Sequence, residues 1–471
     1  MIFMVKRKIL HIIRFIVSFR AIRPINVWNS WNPLLFGLVM VILLGGVMTG
    51  GCNEKNLLQN QGGSGVLIFL VDDPNQLDNV REIAVKYQNE TGTLVSVESV
   101  PKEWSPSSST LLRGDLLVAD ASRIPVFASD EVLMRLNPLL NTSNAINWTL
   151  FESPPLVFVG EFPDRSGDIY ALPFFQDALG IVYRADLFSN PDESAAFCQT
   201  YGYPIGIPGT YNEVTHLATH FTRKDSNLYG IGFAGLEGPD RHSSPWLSIL
   251  ISYGSGVVDP SSGTVSGVWN SSKTLSALTK LRNFSALMPD NAGSWGDAEV
   301  QEGFSSGRIA MAVTWFSLFP KIFSAAEENN LSTGFIPLPG EIVGEESHRG
   351  ITISMDGIGL VQGGSNDEGL RFLEWFYSPK QQIAYASSGH QPSLLPVLDS
   401  FTYLSLNSYN RGFPESMRMG VISPKGENAE EIRQVCENTI RDILSAPDST
   451  PRDTQHILDA SVARIESLIL H

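Results

Sequence analysis

The sequence lacks the signatures of several large enzyme classes. No His-Glu-x-x-His, P-loop or Gly-x-Ser-x-Gly occurs in its 471 residues. That removes the zinc-peptidase, P-loop NTPase and serine-hydrolase readings, so the chain is not expected to hydrolyse ATP itself. Positive charge is short: 33 Lys and Arg stand against 49 Asp and Glu. With no basic stripe to neutralise phosphates, nucleic acid and anionic polymers are poor partners. Heptads and short repeats are absent, which excludes coiled-coil and solenoid architectures. Cysteine is scarce, with only Cys52, Cys198 and Cys436.

What is present begins with an asymmetry. Residues 1–52 hold Lys6, Arg7, Lys8, Arg14, Arg20 and Arg23 and no acid, followed by the apolar run 34–44 and small residues up to Cys52. A basic region, a short apolar segment and small residues before a boundary describe an export signal, and positive charge on the retained side fits the orientation rule. Small residues before a lone cysteine resemble a lipoprotein processing site, which makes Cys52 a candidate for lipidation. Thr49 stands where an aliphatic residue is usual, so an uncleaved anchor is the alternative. Either way the remainder is expected outside the cytoplasm, tethered to the outer face of the cytoplasmic membrane. Residues 53–64 are polar and contain glycine, and read as a flexible tether.

Removing six basic residues from 33 leaves 27 against 49 acids, a net charge of about −22 beyond Cys52. Cys198 and Cys436 are candidates for a disulfide in an oxidising compartment, although sequence cannot place them within bonding reach. Sequons at Asn89, Asn141, Asn147, Asn270, Asn283 and Asn330 suit an exported protein.

A length of 471 residues with 43% hydrophobic content allows two or three domains. Residues 66–71 read as a strand, 76–91 as a helix with Val80, Ile83, Ala84 and Tyr87 on one face, and 94–100 as a second strand. Together they make a βαβ unit, the building block of a parallel sheet. The alternation continues with strands at 116–120, 229–234, 309–314, 334–339 and 358–361, and helices at 211–222, 246–253, 272–287, 299–308 and 367–377. Residues 428–470 are chiefly helical, so the class is α/β throughout.

Within 167–188 a polar Gln176-Asp177 pair is wedged between two apolar runs, each reading as a buried strand. Burying a bare ionisable group costs several kcal/mol. A strand that leaves one lobe, crosses an open cleft and enters a second would keep Asp177 wet; a carboxylate capping a loop is the structural alternative. Asp120 ends a strand, where ligands of open α/β sheets gather, or else caps the following helix.

Several segments together resemble the sugar-binding group of extracellular solute-binding proteins of ABC importers, which includes the maltose- and trehalose-binding proteins. They are Tyr170-Ala-Leu-Pro-Phe-Phe-Gln-Asp-Ala-Leu-Gly-Ile-Val-Tyr-Arg-Ala-Asp-Leu-Phe188, Phe304-Ser-Ser-Gly-Arg-Ile-Ala-Met-Ala-Val-Thr-Trp-Phe316 and Gly334-Phe-Ile-Pro-Leu-Pro-Gly340. Supporting matches are Tyr87-Gln-Asn-Glu-Thr-Gly92, Phe372-Leu-Glu-Trp-Phe-Tyr-Ser-Pro379 and Gly389-His-Gln-Pro-Ser-Leu-Leu-Pro396. The resemblance implies a two-lobed periplasmic-binding-protein-like fold of type II, with an interlobe cleft and hinge crossovers. It assigns 65–173 plus 341–395 to one lobe and 174–340 plus 396–471 to the other. It also implies a monomeric receptor that delivers a carbohydrate to ABC permease subunits, without cofactor or metal.

The match suggests Asp120, Gln176 and Asp177 for sugar hydroxyls and Trp315 as the platform for a pyranose ring. Asp356 and Gly357 fall where the group commonly has a Gly-Gly-Trp-like stretch, whose aromatic is missing here. Trp246 and Trp295, both with poorer alignment, are further candidate contacts. The chemistry suits a neutral sugar, since carboxylates accept strongly from hydroxyls and an indole covers the C–H face.

Three other features carry less. Gly230-Ile-Gly-Phe-Ala-Gly235 matches a dinucleotide loop literally, but turn residues follow it rather than a helix. His216 and His220 share a helix face with no third metal ligand nearby, and read as structural. Asp120 and Asp177 could mimic a glycosidase pair, so a tethered carbohydrate-active enzyme is the alternative function, with a ligand-sensing module as a third. A polyol, sugar phosphate or oligopeptide ligand also stays open.

Overall fold

Ten strands are found among the described residues: β1 (Leu67–Val71), β2 (Val95–Ser99), β3 (Leu116–Asp120), β4 (Leu172–Arg184), β5 (Met311–Trp315), β6 (Thr333–Pro337), β7 (Glu341–Val343), β8 (Glu346–His348), β9 (Ile351–Leu360) and β10 (Gly420–Val421). This computed structural model describes residues 65–101, 112–259, 261–422, 425–446 and 450–469. The expected export signal and tether, with Cys52, lie outside them.

Eight strands form one sheet in the order β2-β1-β3-β9-β4-β5, with β6 also on β4 and β10 also on β9; β7 and β8 make a separate hairpin. The expected βαβ unit is present, β1 pairing parallel with β2 on one side and β3 on the other. Helix Leu77–Thr91 buries Val80, Ile83, Ala84 and Tyr87, the face its periodicity specifies. Each such burial is worth about 1.5–3 kcal/mol for a large apolar side chain. The helix stops at Gly92, whose φ of 81° lets its N–H reach the Gln88 carbonyl and would strain any L side chain.

Strand β4 organises the rest. Its 13 residues extend about 43 Å at the usual rise. Leu172–Ala178 pair with β9, while Leu179–Tyr183 pair with β5 and Gly180–Arg184 with β6. One strand therefore passes from a group of strands built on β1, β3 and β9 to a group built on β5 and β6. The ladder slips between Pro173 and Phe175, where proline has no N–H to give. Strand β9 is the second passage: Leu360–Asp356 pair with β3, and its opposite end, Ile351 and Thr352, with β10.

Several elements differ from the sequence reading. Gln176 and Asp177 do not separate two strands; they sit inside one. The expected strand 358–361 is only the end of β9, whose first half, Ile-Thr-Ile-Ser-Met, alternates buried and half-buried positions. Residues 229–234 touch the β5 edge through isolated bridges, Tyr229 to Ile309 and Gly232 to Ala312, rather than forming a regular strand. Gly230 lies against the Ala218 backbone, too close for any side chain, so the glycine serves packing.

The candidate disulfide is contradicted. Cys198 is exposed on helix Pro191–Tyr201, Cys436 is buried in helix Ala429–Leu444, and both are free thiols. The two histidines of the 211–221 helix point to separate partners: His216 Nδ1 lies 2.8 Å from the Tyr203 hydroxyl, and His220 Nε2 lies 2.9 Å from Glu193.

Candidate ligand-binding cleft

Two adjoining cavities open where the strand groups meet, with volumes of about 550 Å³ and 220 Å³. Gln76, His242, Trp315 and Ser354 line both. Their walls come from the carboxyl ends of β1, β3 and β5, from mid-strand residues of β4 and β9, and from helix Ala429–Leu444. This is the position that an open α/β sheet offers to a ligand.

In the larger cavity Asp120 ends β3. Its Oδ1 accepts from the Ser122 backbone N–H at 2.9 Å and from the Ser122 hydroxyl. Burial raises its pKa, and Asp73 and Asp72 push the same way. Asp73, Asp240, Glu430 and Glu437 add four more acids to this wall. The cation beside them, Arg433, is already bonded to Glu430 and Glu437.

In the smaller cavity Asp177 accepts from the Ala178 N–H at 2.8 Å and the Ser317 N–H at 3.3 Å. Burial outweighs these bonds and pushes its pKa up to about 7. Asp356 is 3% exposed, and its Oδ1 has no hydrogen-bond partner. Burial, then the neighbouring Asp120, Asp73 and Asp72, hold its pKa well above the carboxylate range. Asp297 also keeps an unpartnered buried Oδ1, and burial raises its pKa to about 6. The Gln176 amide donates to the Pro392 carbonyl, which fixes that side chain across the cleft floor.

Trp315 is held by a relay. Its indole N–H donates to the Ser243 hydroxyl at 2.6 Å, and that hydroxyl donates to Asp297 Oδ2 at 2.9 Å. Its ring lies nearly parallel to His242, 27° between planes and 6.1 Å between centroids. Burial lowers the His242 pKa, which favours a neutral ring there. Trp246 begins its helix against the larger cavity and meets Trp269 edge to face.

The structure therefore brings Asp120, Gln176, Asp177, Trp246, Trp315 and Asp356 together on the cleft walls. Gly357 is not among them. A side chain at that position would meet Ala171, Val159 and Ile124, because Gly357 faces the core on the opposite side of β9. Trp295 is likewise a core residue, 3% exposed and packed on Gly303.

Sequence reasoning missed Asp73, His242, Asp297 and the Glu430–Arg433–Glu437 group. Asp73 follows β1, and the strand-end rule applied to Asp120 would have found it. The helical group looks like ordinary i,i+3 and i,i+4 surface pairs and gives no local signal.

A sequence profile described as bacterial extracellular solute-binding protein matches residues 81–383. No curated protein matches the chain by sequence. Among solved structures, the sugar-binding protein MalE of Xanthomonas citri superposes with a TM-score of 0.68 at 16% identity, over 86% of this chain and 98% of that one. A Thermotoga lettingae ABC transporter solute-binding protein bound to α-D-tagatose gives 0.65 at 15%, over 86% and 99%. Maltose-bound MalE3 of T. maritima gives 0.64 at 18%, over 85% and 100%. These likenesses show the two-lobed α/β fold.

Proposed function

The chain belongs to the bacterial extracellular solute-binding proteins, and on that premise we propose that it captures a carbohydrate outside the cytoplasm and delivers it to the permease of an ABC importer. The observation that carries the reading is the composition of the cleft: an indole positioned by Ser243, surrounded by carboxyl groups with unpartnered oxygens. Such groups accept from hydroxyls while the indole covers a C–H face. Three structural neighbours hold tagatose, maltose or acarbose and its homolog, by their descriptions, which supports the same ligand class here.

The lobes of this receptor are 65–173 with 341–395 and 174–340 with 396–471, joined through β4, and flexing at that crossing closes the cleft. The protein acts as a monomer, tethered through the segment ending at Cys52 to the outer face of the membrane. Among the described residues no helix is long and apolar enough to cross one. It binds without chemical turnover. A thermal-shift screen of a carbohydrate panel tests this, because a ligand of the native state raises its melting point. A raised midpoint with the sugar recovered unchanged is the expected result. No shift with any sugar overturns the receptor reading, and new products favour the carbohydrate-active enzyme.

A further inference from the structure

The charge on the cleft walls is lopsided, and hydroxyl groups are not the only donors that suit it. Eight carboxyl groups line the two cavities: Asp73, Asp120, Asp240, Glu430 and Glu437 in the larger, Asp177, Asp297 and Asp356 in the smaller. Among the described residues lining them, Arg433 is the one arginine or lysine, and it is spent on Glu430 and Glu437. The smaller cavity has none. Asp356 is the sharpest case: 3% exposed, aimed into the cavity, with Oδ1 unpartnered and Asp120 opposite it across the β-ladder.

We propose that the Asp177–Asp297–Asp356 wall takes an ammonium group, so that the solute is an aminated carbohydrate or aminocyclitol rather than a neutral sugar. The inference rests on the carbohydrate-receptor reading and narrows its ligand. An ammonium supplies three N–H donors. It fits a wall that has acceptors to spare on two carboxyl groups, Asp356 and Asp297. The rings of Tyr385 and His390, stacked 4.5 Å apart, and of Trp315 border the same cavity, and aromatic faces attract cations. An anionic sugar would find no arginine or lysine among the described residues lining the smaller cavity.

The proposal has a signature that a neutral ligand lacks. Burial pushes the Asp177 pKa up to about 7, so in the empty cleft that site is about half protonated at pH 7, and burial, then Asp120, Asp73 and Asp72, push Asp356 the same way. An arriving ammonium favours their charged forms, so binding expels a proton to the buffer. A neutral sugar leaves it in place.

The test is isothermal titration of the full chain at pH 7 in two buffers of different ionisation enthalpy. The probes are glucosamine and its β-1,4-linked disaccharide, each beside its hydroxyl twin (glucose, cellobiose) and its N-acetyl twin, with maltose and spermidine as further arms. The expected result is an aminated sugar at least tenfold tighter than both twins, with buffer-dependent heat reporting proton release. Asp356→Asn and Asp177→Asn, each with an unchanged or raised melting point, are expected to shrink that preference at least fivefold. A neutral or N-acetylated sugar that binds equally well or better overturns the inference and leaves the receptor reading intact. A preference that persists in both variants also overturns it. Binding of spermidine alone, or of no sugar, overturns the inference together with the reading beneath it.

Discussion

Asp120 and Asp356 stand directly opposite each other across the antiparallel pair of β3 and β9. Like charges facing across a ladder repel. Both carboxyl groups are pushed towards their protonated forms, Asp356 the further because it is almost wholly buried. Folding alone would not favour this arrangement, which marks the wall as one built for something other than stability.

Asp356→Asn should therefore stabilise the ligand-free protein. A tenfold change in proton affinity is about 1.4 kcal/mol, and removing a buried, self-repelling acid should gain on the order of 1–2 kcal/mol. Urea unfolding at pH 7.5 measures it. A clear loss of stability would mean that Asp356 is a structural acceptor.

Asp177 gives a pH dependence of known sign. Its folded-state pKa is raised from 3.8 to about 7, so between those values the folded state holds a proton that the unfolded state has released. This contribution to stability is fully present below about pH 4 and is lost as pH rises through 7. The melting-point advantage of Asp177→Asn over the unmutated chain should thus grow from pH 5 to pH 8. A constant difference across that range would contradict the assignment.

Trp315 and Ser243 should act on affinity in graded fashion. Trp315→Ala is expected to weaken sugar binding by about 1–3 kcal/mol through lost stacking. Ser243→Ala, which frees the indole N–H and one Asp297 oxygen, should cost about 1 kcal/mol. Titration of a bound sugar against both variants checks the order. Equal affinity in Trp315→Ala with an intact fold would remove the indole from the site.

The thiols should behave independently. Cys198 is exposed, while Cys436 is fully buried and burial raises its pKa. Iodoacetamide should label Cys198 in the native protein and Cys436 only after unfolding, as read by peptide mass mapping. A disulfide-linked peptide carrying both residues would refute the free-thiol assignment.

How far the sequence could be read follows from where its signals are local. Strand β3 and the 211–221 helix were legible because apolar periodicity and caps lie within the elements themselves; Thr210 and Glu213 form a capping box. Asp120, Asp177 and Trp315 were legible because each interrupts or ends an apolar run. The first half of β9 was not, since its alternation runs into Asp356-Gly357, which resembles a turn. Asp297, His242 and Glu437 reach the cleft only through tertiary packing. Gly357 failed for a geometric reason: adjacent residues of a strand face opposite ways, so Asp356 and Gly357 could not both line one cavity.

The most direct test is a crystal structure with the tightest-binding sugar from the panel. The account predicts a sugar ring lying on the Trp315 indole, with hydroxyl or amino groups bonded to Asp177 and Asp356. A sugar bound elsewhere on the surface, with this cleft occupied only by solvent, would contradict it.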